Sequence, residues 1–585
     1  MSRLLSTLAL IWRLARPYFV SEDRWAGRIL LGAVIALELL IVAINVMLNQ
    51  WNNRFYNALQ ERNWDNFVWE LLFFCALAAA FIVLAVYKLY LNQWLQIRWR
   101  RWMTRQYLDR WLANANHYRM QLLGDAADNP DQRISEDINL FIDRTLTLTV
   151  GLLSAIVTLF SFIVILWTLS AAAPLLLFGT SFVIPGYLVW AALLYAMVGT
   201  ALTHLVGWPL VGLNFRQQRF EADFRFNLVR LRENSEQIAL LRGESDEREQ
   251  LLNRFGRVVG NFMQIMLRTK KLTFFTASYT QVATIFPFIV ISPAYFAGTI
   301  QLGGLMQTAS AFTSVQTALS FFIDAYRQLA EWRAVIARLD GFNVAVESAQ
   351  GAAIAKPGIE VVPHTGKDAI RIDDLVVRLP QGGALVAADD LVIAAGERVL
   401  VTGSSGAGKS TLFRAIAGTW PFGAGTIHVP KGAKVMTLPQ RPYFSIGTLA
   451  AAVTYPAEPG TFSAEVLAEV ITAVGLPALA GRLTEEAHWN RMLSLGEQQR
   501  LGIARAILQA PDYLFLDEAT ASLDESAEAA IYRLLDERLQ HTTIVSIGHR
   551  STLSAFHGRG IALVRDGDFH RMREAGLAPA GAAAR

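Results

Sequence analysis

Charge is scarce in this chain. Only 17% of its 585 residues are Asp, Glu, Lys or Arg, against about 25% in an average soluble protein. Apolar residues reach 53%, a balance that excludes an ordinary water-soluble fold and points to a membrane protein. Cysteine is nearly absent. The single one, Cys75 in ELLFFCALAAAF, excludes an intrachain disulfide and any cysteine-built metal site, and its apolar setting predicts a small buried hydrophobe. A net charge of +4 is slight for this length and gives no electrostatic footprint for nucleic acid. The opening MSRLLSTLALIWRLARPYFV lacks a small-residue cleavage site, so residues 1–27 read as an amphipathic helix at the membrane surface rather than a cleaved signal peptide.

Length alone allows roughly three or four domain equivalents, and hydropathy divides them unevenly. About 20 apolar residues cross a bilayer as a helix, and six stretches qualify: 28–49, 68–92, 145–169, 175–205, 272–298 and 303–325. A transmembrane domain is therefore expected over 28–339. Pro185 and Gly186 are expected to kink its fourth span. The sixth span, with Gln307, Thr308, Ser310, Thr313, Ser314 and Gln316, is the least apolar. Such groups go unpaired in lipid, so this helix either packs through small residues or lines a wet pathway, with Gln307 and Thr313 as transport candidates. Glu38, inside the first span, is a third candidate, for substrate or a proton, or it is paired with a base such as Lys88. Arginines cluster after the second and fourth spans, which places loops 96–144 and 206–271 in the cytoplasm with the N-terminus. NPDQRISEDI, residues 129–138, reads as a turn and a short acidic helix that couples to a cytoplasmic domain or is simply capped. Residues 340–368 carry Gly, Ala and Pro without strong periodicity and read as a linker. From 369 to 573, short β-branched runs alternate with helical stretches, the pattern of an α/β fold. Residues 574–585 are a low-complexity tail expected to be disordered.

Chemistry concentrates in that last third. GSSGAGKS, residues 403–410, follows the strand-like RVLVT and precedes the helical TLFRAIAG, the context a phosphate-binding loop requires. Backbone N–H groups of Gly403, Ser404, Ser405, Gly406, Ala407, Gly408 and Thr411 would wrap phosphates, Lys409 would reach the β and γ phosphates, and Ser410 would hold Mg²⁺. YLFLDE ends a buried strand in two acids, Asp517 to hold Mg²⁺ and Glu518 to orient or deprotonate an attacking water. LSLGEQQR, residues 493–500, offers two readings. Ser494 and Glu497 have the spacing of a capping box, while a helix N-terminus is also a ready phosphate site. The eight residues leave both open.

With these motifs in this order, the chain resembles the ATP-binding cassette family. The resemblance implies that Ser494 and Gly496 bind the γ-phosphate of a nucleotide held by the other domain of a dimer. It likewise identifies Gln440 in TLPQRPY with the glutamine loop that senses Mg²⁺, residues 521–524 with the D-loop, and His549 with the switch histidine. ATP and Mg²⁺ are the implied cofactors, and Glu518, His549 and Gln440 the catalytic group. Leu495 and Glu497 depart from the usual LSGGQ, and LVVRLPQGG offers no aromatic where cassettes usually stack adenine. WNNRFYNALQERNWDNF, NPDQRISEDI and RENSEQIALLRGE resemble the SbmA/BacA-type peptide-uptake proteins and the related peroxisomal fatty-acyl transporters. This implies six transmembrane helices of the type IV exporter fold followed by an α/β P-loop nucleotide-binding domain. It also implies a homodimer in a bacterial inner membrane, surrounded by lipid, with a hydrophilic peptide or other solute such as cobalamin as cargo. Export or flipping of lipids and acyl chains, and a proton-driven carrier regulated by its cassette, are the rival expectations.

Overall fold

The computed structural model describes residues 2–124, 129–172, 175–177, 180–182, 184–366, 369–548 and 550–576. It divides into a membrane-type unit, Met1–Leu108 with Asn129–Gly341, and a second unit, Asp109–Asp128 with Phe342–Arg585.

Seven helices dominate the first unit: α1 Ser2–Val20, α2 Arg24–Gln60, α3 Trp64–Leu112, α4 Ile138–Ala172, α5 Tyr187–Glu233, α6 Glu244–Phe296 and α7 Leu302–Ile354. At 1.5 Å per residue the longest exceed a ~30 Å hydrocarbon layer more than twofold. Among the described residues, five helices are long and apolar enough to cross a membrane, those containing α2 to α6. The sixth expected span lies in the 53-residue α7, which is not among the five because of its Gln, Thr and Ser content. Its hydroxyls solve the pairing problem locally: Thr308, Thr313, Ser314 and Thr317 each donate to the carbonyl four residues back.

Two other expectations change. The fourth span begins twelve residues later than expected, because Gly186, at φ +67°, caps α5. Pro185 cannot continue a helix from its N-terminal side without losing a backbone bond. Leu175–Leu177 and Thr180–Phe182 instead pair as an antiparallel hairpin. Cys75 lies on an exposed face of α3 rather than in a core.

Polar pairs knit the first helices. Glu38, 7% exposed, is ion-paired with Lys88, and Arg54 pairs with Glu70 at 3.0 Å, so α2 and α3 are joined at two levels. Between α2 and α7 runs an amide ladder. Asn49 Nδ2 donates to the Gln307 carbonyl at 2.9 Å, Asn53 Nδ2 to Gln307 Oε1 at 2.8 Å, and the Gly303 N–H to Asn57 Oδ1 at 2.8 Å. Near the other end of the unit, buried Asp137 binds Arg133 at 2.6 Å and Arg338 at 2.6 Å. Residues 129–138 thus belong to the membrane-type unit.

In the second unit ten strands form one sheet: β1 Ile359–His364, β2 Ala369–Arg378, β3 Ala384–Ala394, β4 Arg398–Gly403, β5 Gly423–Pro430, β6 Val435–Leu438, β7 Tyr513–Asp517, β8 Thr543–Ile547, β9 Arg559–Asp566 and β10 Phe569–Ala575. Their order is β1-β5-β2-β3-β10-β9-β4-β8-β7-β6. β4, β8, β7 and β6 run parallel. Period-2 alternation fills both faces: Leu514, Leu516 and Ile544 enter one core, while Tyr513, Phe515, Val545 and Ile547 enter the other. The expected linker is largely structured, since α7 continues to Ile354 and β1 begins at Ile359. Residues 577–585 of the expected disordered tail lie outside the described residues. Helix Asn116–Leu122 also belongs here, with Arg119 Nη2 donating to the Gly418 carbonyl at 3.1 Å and Leu122 packed on the core. Of the first long loop, 116–122 thus belongs to the second unit and 129–138 to the first.

Candidate functional site

The carboxyl ends of β4 and β7 meet at one edge of the parallel strands, where ligands of open α/β sheets bind. β4 runs into the loop Gly403–Gly408, and helix α8, Lys409–Ile416, starts from Gly408 at φ +92°. A β-carbon at Gly408 would lie 2.6 Å from Val386, so both backbone angle and close packing demand glycine. Ser404, Ser405 and Gly406 are exposed, and Ala407 is buried beneath them. Lys409 Nζ bends back to donate to the carbonyls of Gly403 and Ser404 at 2.9 and 3.0 Å. Burial lowers its pKa, while the Glu518 and Asp517 charges oppose the shift.

β7 delivers the acids. Ser410 Oγ donates to Asp517 Oδ1 at 2.7 Å, so the hydroxyl and carboxylate expected to share a cation already converge. Burial raises the Asp517 pKa, with the Ser410 hydrogen bond and the charge of Arg414 opposing. Glu518 follows at φ +50°, a left-handed backbone that non-glycine residues seldom adopt. Gln440 Nε2 donates to Glu518 Oε2 at 3.2 Å. Four sequence-expected residues, Ser410, Gln440, Asp517 and Glu518, are thus linked in two hydrogen-bonded pairs at one strand end. His549 lies outside the described residues.

Ser494 caps helix α9, Leu495–Gln509. The capping box forms fully: Glu497 N–H donates to Ser494 Oγ at 3.4 Å, and Glu497 Oε2 accepts from the Ser494 N–H at 2.8 Å. The Ser494 hydroxyl also donates to Glu497 Oε2 at 2.8 Å, yet the residue is exposed at the surface of the domain. Ser494 and Gly496 make none of the hydrogen bonds within the Ser410, Gln440, Asp517 and Glu518 group. The tight turn from Leu379, 42% exposed, to Gly383 carries the Leu379 N–H to the Gly383 carbonyl at 2.8 Å. It leads straight to Leu385 and Val386 against Gly408.

The transport candidates separate. Glu38 is taken up by Lys88. Gln307 is buried in the amide ladder with Asn49 and Asn53. Thr313 is exposed, its hydroxyl satisfied by Ala309. A cavity of about 1510 Å³ in the membrane-type unit is lined instead largely by α5, whose Thr200, His204, Gly207, Asn214, Gln217 and Gln218 face it with helical period. Leu193, Met197, Trp208, Phe215 and Leu272 add apolar walls. No Gln, Thr or Ser cluster as dense as that of α7 marks α5 in the sequence, because apart from the adjacent pairs Thr203–His204 and Gln217–Gln218 its cavity-facing residues are spaced three to seven apart among long apolar ones. Only a periodicity test on that span would have found them.

Comparison with known proteins agrees with both halves. The membrane region matches the ABC transporter transmembrane region 2 family over residues 14–296, and the second unit matches the ABC transporter family over 387–521. The inner membrane ABC transporter ATP-binding protein YddA of Escherichia coli is 36% identical over 540 residues, covering 92% of this chain and 94% of its own. The chloroplastic ABC transporter D family member 2 of Arabidopsis thaliana is 32% identical, covering 95% of this chain and 86% of its own. A bacterial Atm1-family ABC exporter with ATP bound has the same fold, with a TM-score of 0.71 at 18% identity over 94% of this chain and 95% of its own. The chain therefore belongs to the ABC transporter family, an ATP-hydrolysing membrane transporter related to the D-family half-transporters, with membrane region and cassette in one polypeptide.

Proposed function

We propose that two copies of this chain form a transporter of a bacterial inner membrane. It crosses that membrane six times, with α7 as the sixth span, and carries a hydrophilic solute of the peptide or cobalamin kind inward. The observation that carries this reading is the polar stripe of α5 along a large cavity. Thr200 and His204 lie within the expected fourth span, where polar groups are retained if they face water or substrate rather than lipid, and Asn214, Gln217 and Gln218 continue the stripe into the cytoplasmic extension of α5. The likeness of the membrane-half motifs to SbmA/BacA-type proteins supports the same cargo class.

In this reading each ATP is sandwiched between two cassettes. The loop Gly403–Thr411 and Lys409 of one subunit hold the phosphates, and Ser494 and Gly496 of the other close over the γ-phosphate. Ser410, Asp517 and the Gln440 side-chain oxygen are hard oxygen donors and fit Mg²⁺. When bound, the ion neutralises charge on the β and γ phosphates. Glu518 takes the proton of the attacking water, Gln440 steadies its carboxylate by hydrogen bonding, and His549 supports the γ-phosphate. Closing the sandwich drives the cytoplasmic ends of the helices and switches access to the cavity. Helices 116–122 and Ser235–Leu241, at the turns of the two long loops, transmit the movement.

A second reading, movement of lipids or acyl chains, is favoured by the apolar walls of the same cavity and by the resemblance of the membrane-half motifs to the peroxisomal fatty-acyl transporters. The proton-driven alternative loses its main support in the Glu38 to Lys88 pair. Proteoliposomes separate all three. Wild type is expected to move labelled peptide or cobalamin in the presence of ATP, and Glu518→Gln to abolish hydrolysis and movement together. Movement of labelled lipid alone would select the second reading, and undiminished transport by the variant would reject ATP drive.

A further inference from the structure

Within LSLGEQQR the side chain of Gln499 belongs to neither the capping box nor the phosphate site. Gln499, 1% exposed, lies five residues beyond Ser494, about 140° further round α9, so it points into the cassette instead of across its surface. Its Nε2 donates to the carbonyl of Gln440 at 3.0 Å and to the carbonyl of Glu518 at 3.4 Å. Its Oε1 accepts the N–H of Ser522 at 2.9 Å. Every partner is backbone, and the three belong to three separate motifs: the glutamine loop, the catalytic acid and the D-loop. The amide orientation is dictated, because turning it over would set its oxygen against two carbonyls and its NH₂ against an N–H.

Glu518 sits at φ +50°, a conformation that persists only where surrounding contacts impose it. Its carbonyl accepts from the Ala521 N–H at 3.1 Å and from Gln499. The D-loop is fixed at Ser522 by the same amide, and the glutamine loop at Gln440, whose own side chain reaches Glu518 Oε2. Removing the Gln499 amide would free three segments at once while leaving every side chain of the phosphate site in place.

We infer that Gln499 is a positioning residue for ATP hydrolysis: it fixes the backbone of Glu518 relative to the glutamine loop and the D-loop, so that a shift of the glutamine loop is passed to the catalytic carboxylate. The inference rests on Glu518 being the acid that activates water.

The test compares Gln499→Met, isosteric but unable to hydrogen-bond, with Gln499→Glu, in the full-length protein, with Glu518→Gln alongside. Binding of a non-hydrolysable ATP analogue, thermal stability and kcat per nucleotide-binding site are measured for each. Gln499→Met is expected to lower kcat per site by roughly 10- to 100-fold, the scale of a small misplacement of a reacting group, with analogue affinity unchanged. Gln499→Glu keeps the acceptor for Ser522 but donates only when protonated. Its kcat relative to wild type is therefore expected to rise as the pH is lowered, and this decides the matter if the Met variant does not fold. A kcat per site equal to wild type in the folded variants, with any loss confined to Tm and yield of binding sites, overturns the inference. Full hydrolysis by Glu518→Gln would instead overturn the assignment of Glu518 on which it rests.

Discussion

Asp517 and Ser494 illustrate at the level of single residues how a site can be folded against its own stability. Burial raises the Asp517 pKa from its ordinary value, and the Ser410 hydroxyl only partly offsets this. A group with a raised folded-state pKa binds its proton more tightly when folded, so its contribution to stability declines as pH rises past its unfolded value and is unfavourable above the folded one. At neutral pH, with chelator and without nucleotide, Asp517→Asn should therefore raise Tm by scanning calorimetry while abolishing ATP hydrolysis, and ATP with Mg²⁺ should stabilise the wild type far more than the variant. A lower Tm for the variant under chelation would contradict the burial argument. Ser494 shows the milder form of the same tension, since its hydroxyl is already hydrogen-bonded to Glu497 Oε2. The sequence posed capping and phosphate binding as alternatives. The geometry shows the cap complete on an exposed helix start, so a phosphate would have only to replace one hydrogen bond.

Among the elements, α2 and α7 make the sharpest packing claim. Gly303 lies where its β-carbon would come 1.9 Å from the Asn53 carbonyl, whereas at Gly304 the nearest atom would be 3.6 Å away. Neighbouring glycines on one helix thus differ completely in what they permit. Gly303→Ala should break the amide ladder and destabilise the protein by ~1–3 kcal/mol, the usual range for overpacking, while Gly304→Ala stays near wild type in detergent melting. Equal effects would mean that the two helices are not held at this distance. Such contacts explain what was legible in the sequence. The phosphate loop, the paired acids and the long helices are local patterns, in which spacing along the chain sets geometry directly. The amide ladder joins Asn49 to Gln307, and the polar stripe of α5 depends on which face meets a cavity. Both are long-range facts that periodicity alone does not carry. The start of α5 is set in another way: Pro185 and Gly186 suggest a kink inside a helix, but the left-handed Gly186 begins one instead. In residues 129–138 the sequence shows an acidic helix start but not that Asp137 pairs with the distant Arg338 as well as with Arg133.

For the whole molecule, the account depends on Ser494 of one subunit completing the site built by Lys409 and Glu518 of another. A cassette alone brings Ser410, Gln440, Asp517 and Glu518 together in hydrogen-bonded pairs and leaves Ser494 exposed on a different helix start. In the proposed symmetric pair each site would receive the other copy's signature helix, and two-fold symmetry would make both sites equivalent. The most direct test mixes two inactive chains. Lys409→Ala and Ser494→Arg should each abolish hydrolysis as homodimers without preventing folding. Co-expressed, they should form mixed dimers in which one site carries both lesions and the other carries neither. About half of the dimers would be mixed and one site in each intact, so hydrolysis is predicted to return to about a quarter of wild type. A mixture as inactive as either chain alone, with mixed dimers shown to be present, would contradict the shared site.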